Sequence, residues 1–266
     1  MFLTLLLAAA FLLAGCQDGP LEPIVVDANA VTAEVNYSDL AAVLTDVVDK
    51  NGLIDPDLLE KRAGKLDAQL GLLAVTGPKT TPALFPTDGD KLAYWYNARA
   101  AWSLKLLLAA KCPRQLARRE LQDRRFLLDG RRMTLAEIDA ILGADADWRT
   151  VVSAPGVCLD RARLPTAPFE AQGVRARIAE RFSEFLDDPK RFVIDVENRQ
   201  VLVPPVLWQF RGRLIRDYET TYGAVGATLT TALLPHLSGS PLRRLQDAVG
   251  YPVVEAPSTG ATAVKE

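Results

Sequence analysis

The sequence predicts a helix-rich α+β fold with two short β-hairpins. Three observations support this prediction. Several segments repeat apolar residues at helical spacing, and two short apolar segments are interrupted by turn residues. The composition, with 49% hydrophobic and 24% charged residues, is that of an ordinary globular protein. Because residues 36–251 contain neither an internal repeat nor a long polar linker, we expect them to form a single domain.

Helical spacing dominates these residues. Residues 38–48 carry apolar side chains at the i, i+3, i+4, i+7 positions of one helix face. A second helix is expected to open at Asp55-Pro56, since proline is favoured in the first helical turn. The other predicted helices cover residues 88–111, 134–142, 171–186, 204–216, 221–234 and 241–249.

The strands are fewer and shorter. Asp129-Gly130 separates two short segments, 125–128 and 131–133, and the pair suits the positive φ angles of a type I′ hairpin turn. A second hairpin is predicted from residues 192–196 and 200–203, and a further strand from residues 150–152.

The N-terminus begins with an apolar run that ends in Leu13-Ala14-Gly15-Cys16. A cysteine after such small residues is the position that bacterial lipoproteins acylate, and the run is shorter than the roughly 20 residues of a membrane span. We therefore predict a lipoprotein signal peptide at residues 1–15, lipid attachment at Cys16, a flexible tether at 16–35 and a disordered tail at 252–266. Gln17, rather than Asp, follows the cysteine and favours the outer membrane, facing the periplasm.

Charge and cysteine content exclude several classes of protein. The formal net charge is -2, with acidic and basic residues intermixed, so a nucleic-acid partner is not expected. Cys112 and Cys158 either form a disulfide or stay buried as free thiols, and the sequence leaves both options open. Because the sequence has a single histidine and two distant cysteines, we expect no metal site. It also lacks a glycine-rich phosphate-binding loop, so we expect no cofactor.

Four segments resemble, in the same order, the bacterial family catalogued as domain of unknown function 547. Residues 90–98 read D-K-L-A-Y-W-Y-N-A and are similar to that family's A-F-W-I-N-x-Y-N helix. Residues 35–40 resemble its V-D-Y-x-x-L opening, residues 133–139 its x-S-L-D-D-I-E segment, and residues 201–210 its v-x-L-S-x-i-F-x-W-y stretch. The resemblance implies a member of this family over most of the chain.

The chain departs from the family where a reactive site would be expected. Members continue with R-I-H-F-A-L-N-C-G-A-x-S-C-P, whereas residues 149–160 here contain no histidine, and Cys158 is out of register. Ala100 replaces the second asparagine of the helix motif, and Arg99 stands where tyrosine is usual. The resemblance therefore implies a divergent member that has lost the family's His and Cys.

Two functions remain open. The first, which we favour, is a lipid-anchored, noncatalytic domain that binds an envelope peptide, glycan or protein. Its predicted groove is lined by Trp95, Arg99, Trp102 and Trp208, next to Asn97. Asn97 itself is expected to make a buried structural hydrogen bond, and Arg99 is expected either to pack or to pair with a carboxylate.

The second function is a thiol-dependent hydrolase. It would use Cys158 with His236, the only histidine. Such a reaction requires an activated thiol beside a base, so it predicts that the fold brings these two residues together.

Overall fold

A computed structural model describes residues 35–265. The predicted signal peptide, Cys16, nearly all of the tether and Glu266 lie outside the described residues. The described part has the predicted helix-rich α+β architecture, with helices packed around a continuous apolar core to which two small sheets contribute. None of the helices within residues 35–265 is long and apolar enough to cross a membrane.

The elements follow one another along the chain with short connections. The α-helices are α1 Ser38–Val47, α2 Pro56–Lys61, α3 Ala63–Val75, α4 Asp88–Ala109, α5 Arg118–Gln122, α6 Leu135–Gly143, α7 Arg149–Val152, α8 Val174–Asp187, α9 Pro205–Tyr222, α10 Leu229–Leu233 and α11 Gly239–Asp247. Short 3-10 helices cover Pro82–Leu84 and Leu234–His236. The strands are β1 Phe126–Leu128, β2 Arg131–Met133, β3 Val193–Asp195, β4 Gln200–Val203 and β5 Val253–Glu255.

Helix α4 is the central element of the fold. It begins with a capping box, in which the Thr87 hydroxyl accepts from the Asp90 N–H and the Asp90 carboxylate accepts from the Thr87 N–H. Its buried residues run from Leu92 to Leu107 without a polar face, and it packs against α2, α3, α5, α6 and α8. A helix covered on every side is a core helix, so its side chains hold the domain together.

Both predicted hairpins are present. Asp129 and Gly130 take positive φ angles of 50° and 70° between β1 and β2, as the turn prediction requires. Strands β3 and β4 pair antiparallel, and β5 joins the free edge of β4 in parallel to complete a three-stranded sheet. The prediction missed this third strand because its partner is distant in sequence.

The strand predicted at residues 150–152 was wrong, because these residues form α7. The Asp147 carboxylate accepts from the Arg149 N–H at 3.0 Å, and the Thr150 hydroxyl donates to the Leu142 carbonyl at 2.6 Å. These side-chain contacts stabilise a helical turn. The apolar segment is so short that its pattern alone does not distinguish a helix from a strand.

The helix predicted at residues 221–234 was also wrong in its first half. Helix α9 continues to Tyr222, and Gly223 ends it with a left-handed φ of 63°. The next helix, α10, begins only at Leu229, where the Thr228 hydroxyl accepts from the Thr231 N–H at 3.2 Å. The helical spacing of apolar residues continues across residues 223–228, so the pattern did not reveal where α9 ends and α10 begins.

The prediction of a disordered tail was wrong for residues 252–265. Besides β5, the tail makes isolated β-bridges from Val264 to Ile54 and from Thr262 to Cys158. The Ala263 N–H donates to the Val157 carbonyl at 2.7 Å, and Ala263 is buried. The tail is therefore ordered by backbone partners far away in sequence, which a composition rich in Ala, Ser and Thr does not reveal.

Candidate functional site

The aromatic stripe of α4 lies inside the core. Trp102 and Arg99 are each 1% exposed and Trp95 is 7% exposed. The Trp102 ring stacks on Phe126 with a centroid separation of 4.1 Å. The prediction that Trp95, Arg99 and Trp102 line a groove was therefore wrong, because α4 is covered by other helices on the side where we expected an opening.

Asn97 makes the buried hydrogen bonds predicted for it. Its amide donates to the Phe169 carbonyl at 2.9 Å and accepts from the Phe169 N–H at 2.8 Å. The side chain is completely enclosed, so it joins α4 to the segment before α8 and is not available to a ligand.

Arg99 pairs with a carboxylate, one of the two roles predicted for it. Its guanidinium donates to both oxygens of Asp139, at 2.6 Å and 3.2 Å, and Arg161 binds the same carboxylate from the other side. Burial alone would raise the pKa of Asp139, but the charges of Arg161 and Arg99 outweigh burial and lower it. Two cations share one anion, so this triad carries one excess positive charge.

Arginines also fix the main chain of the loop at residues 155–163. Each of three guanidinium groups donates to a carbonyl of this loop, and two of them come from α8 and from the turn after it. The pairs are Arg99 with Pro155, Arg181 with Arg163, and Arg191 with Arg161. The loop that carries Cys158 and Arg161 is thus held firmly at both ends.

Beside this loop lies an open cleft of about 420 Å³, which we call the Trp208 cleft. Its walls are the 158–161 loop, helix α5 with the residues just before it, the first turn of α9 and the ordered tail. The polar lining residues are Arg118, Gln122, Asp160, Arg161, Gln209, Glu255 and Ser258. The apolar lining comes mainly from Leu116, Leu121 and Val206. A volume of this size suits a small molecule or the end of a chain.

Trp208 is the one predicted groove residue that does line the cleft. It is half-buried, and the Arg211 guanidinium lies over its ring at 4.0 Å from the centroid. Within residues 35–265 its indole N–H has no hydrogen-bond acceptor. The cleft therefore offers both an aromatic surface and an unused donor.

Gln122 was not identified from the sequence, and its position is informative. The residue is 9% exposed and lines the cleft, yet its amide has no hydrogen-bond partner in the described part of the chain. Its polar atoms are also not among the fully enclosed ones. Because Gln122 lines the cleft and its amide is not fully enclosed, its hydrogen-bonding groups are available to a ligand there.

The surroundings of Cys158 are those of an inert thiol. Burial, followed by the negative charge of Asp160, raises the pKa of Cys158 to about 11. The thiol is therefore protonated at neutral pH. Cys112 is half-buried, and burial also raises its pKa. In the structure both thiols are free rather than joined in a disulfide.

His236 lies in a different environment from Cys158. Its ring packs against Trp148 and Phe182, at centroid separations of 5.7 Å and 5.3 Å. Burial lowers the pKa of His236, and the charge of Arg149 lowers it further. The charged groups that act on His236 do not overlap with those that act on Cys158, so nothing in the described residues points to a working Cys-His pair.

Sequence reasoning missed most of the cleft. Among residues 35–265, no group of three His, Cys, Asp or Glu side chains is arranged to hold a metal ion. The residues that converge on the cleft come from four separate segments and share no local motif.

The sequence matches no protein-family model, no curated protein and no solved structure.

Proposed function

We propose that this chain is a lipid-anchored, noncatalytic binding protein of the bacterial envelope and that the Trp208 cleft is its ligand site. The cleft itself is the observation that carries the proposal. It combines an aromatic ring with polar groups that lack protein partners, and its thiol, Cys158, is held protonated. Such a site is suited to holding a ligand rather than to transforming one.

The anchor is the second part of the proposal. The Leu13-Ala14-Gly15-Cys16 sequence supports acylation at Cys16, and Gln17 supports an outer-membrane position facing the periplasm. The four motifs in their family order support descent from the domain of unknown function 547 family. We expect the ligand to be an envelope peptide, glycan or protein, because a net charge of -2 does not favour nucleic acid.

Ligand binding can be tested through tryptophan fluorescence. The purified Cys16→Ser chain would be titrated separately with peptide, oligosaccharide and protein fractions of a bacterial envelope. We expect one fraction to change the emission, since Trp208 is the tryptophan that lines the cleft. Trp208→Phe should abolish the change, and the matched Trp148→Phe variant, at a residue outside the cleft lining, should keep it. Equal responses in both variants, or none with any fraction, would contradict the proposal.

The anchor needs a separate test. Cells grown with a palmitate analogue should incorporate it into the natural chain and not into the Cys16→Ser variant. Membrane fractionation should then recover the natural chain with the outer membrane and the variant in the soluble periplasm. Sedimentation of the variant with membranes would rule out the anchor and leave the cleft proposal untouched.

A further inference from the structure

We propose that the Trp208 cleft binds the C-terminal carboxylate of a peptide together with its last peptide bond. This inference rests on the proposed binding function and deepens it by naming the ligand class. Three features of the cleft support it: an uncapped helix N-terminus, two arginines in the lining and a largely buried amide with no protein partner.

The first feature is the beginning of α9, whose first turn forms one wall of the cleft. Pro204 occupies the N-cap position and provides no side-chain cap. The N–H of Trp208 donates to the Pro204 carbonyl, whereas the N–H of Val206, a residue that lines the cleft, has no acceptor in the described residues. A free amide at the start of an 18-residue helix favours an anion, and the helix dipole adds to the attraction.

The second feature is a pair of arginines in the lining of the cleft. Arg161 lines the cleft while sharing Asp139 with Arg99, and its Nη1 is enclosed without a hydrogen-bond partner. Arg118 adds a further cation at the exposed rim. Each guanidinium group attracts an anionic group of a ligand that lies close to it.

The same cleft argues against a highly charged ligand. Asp160 and Glu255 also line it, and the Asp160 carboxylate accepts a hydrogen bond from Ser258 at 2.9 Å. These two carboxylates balance Arg118 and the excess charge of the triad. The cleft therefore has no net charge to attract a polyanion, whereas a single carboxylate can be held by direct contact with an arginine and a free amide.

The third feature, Gln122, suits a peptide bond of the ligand. A primary amide both donates and accepts, so it can pair with the C=O and the N–H of one peptide unit. The Gln122 side chain is nine-tenths buried and its amide has no protein partner, so a ligand in the cleft can supply one. Leu116, Leu121 and Val206 supply an apolar surface for the last side chain of the peptide. Capture of a C-terminal carboxylate by free backbone amides is an established mode of peptide recognition.

The test compares two libraries of random N-acetylated tetrapeptides that differ only at the C-terminus, one as free acids and one as amides. The ¹⁵N-labelled Cys16→Ser chain would be titrated with each, and the Gln122 side-chain amide and the Trp208 indole N–H would be followed by NMR. We expect the free acids to shift both signals and the amides to bind at least about tenfold more weakly, because a charge-assisted hydrogen bond is lost. Equal binding of the two libraries would overturn the inference, and so would an absence of shifts with both.

Two variants show whether the peptide occupies the proposed position. Arg118→Gln should weaken binding of the free acids several-fold, whereas Arg119→Gln, at the next exposed residue of α5 but outside the cleft lining, should not. Gln122→Leu should weaken both libraries, and its NMR spectrum would verify that it folds. An unchanged affinity for Arg118→Gln would contradict the anion position.

A third arm separates failure of this inference from failure of the proposed function. N-acetylneuraminic acid supplies a carboxylate and an amide on a sugar. If it or an oligosaccharide fraction binds at Trp208 and the peptides do not, the cleft remains a binding site and the peptide inference is wrong. If no peptide, sugar or envelope fraction perturbs the cleft, both proposals fail.

Discussion

Replacing Asp139 by asparagine should strongly destabilise the domain. Asp139 is the shared partner of Arg99, which is 1% exposed, and of Arg161. Asparagine keeps the shape of the side chain but removes its charge, so two adjacent guanidinium groups would be left without a counter-ion. Removal of one partner from a buried ion pair typically lowers the free energy of unfolding by about 3–5 kcal/mol.

Urea unfolding, followed by circular dichroism, measures this loss. With a urea dependence near the upper end for small domains, about 3 kcal/mol per molar, the midpoint should fall by about 1–2 M. The matched control is Asp39→Asn, which breaks an ion pair with Lys65 whose side chains are 39% and 46% exposed. Surface pairs contribute about 0–1 kcal/mol, so this variant should unfold close to the natural midpoint. Similar losses in the two variants would refute the argument from burial.

The pH dependence provides a second measurement of the same effect. Because the pKa of Asp139 is lowered in the folded state, its ionisation stabilises the fold above its unfolded pKa of about 3.9 and this contribution is lost as the pH falls through the folded value. The difference in free energy of unfolding between the natural chain and Asp139→Asn should therefore be full at pH 6 and shrink below pH 4.

Adding Arg161→Met to Asp139→Asn should recover part of the stability, because it removes one uncompensated charge.

Three further predictions concern the thiol, the core and the tail. With its pKa raised to about 11, Cys158 should react slowly with iodoacetamide at pH 7 and much faster towards pH 11, and rapid labelling of folded chain at pH 7 would contradict the inert thiol. Trp102→Ala should lower the free energy of unfolding by about 3–5 kcal/mol, measured in urea, because the ring stacks on Phe126 in the core; a loss below about 1 kcal/mol would place that ring at a surface. Ending the chain after Glu255 should lower the melting temperature, since it removes the backbone partner of Ile54, and an unchanged melting curve would show that the tail contributes nothing.

Local signals in the sequence predicted the elements that are determined locally. The Asp129-Gly130 turn depends on backbone angles that these two residues adopt easily, so the first hairpin followed directly. Thr134 begins α6 through a capping box with Glu137, and the start of this helix was predicted to within one residue. In both cases the deciding contacts lie within a few residues of one another.

Contacts between distant segments were beyond the reach of the sequence pattern. Arg99 on an apolar stripe is compatible with a cleft or with a buried ion pair, and its partner Asp139 lies 40 positions away. The stripe therefore singled out Arg99 without showing whether its side chain faces a cleft or the core. Gln122 gave no signal at all, because an isolated glutamine becomes informative only when its burial and its missing partner are known.

The buried arginines link the stability of the domain to the shape of its cleft. Arg99 and Arg191 use side chains fixed in the core to hold carbonyl groups of Pro155 and Arg161, so the cleft loop cannot relax without breaking charge-assisted hydrogen bonds. A loop held in this way loses little conformational freedom when a ligand binds, and the entropy cost of association is correspondingly smaller. The contacts that keep the core arginines hydrogen-bonded also hold the cleft wall in place. Mutations in the triad should therefore affect both folding and binding, whereas a mutation of Arg118 at the rim should affect binding alone.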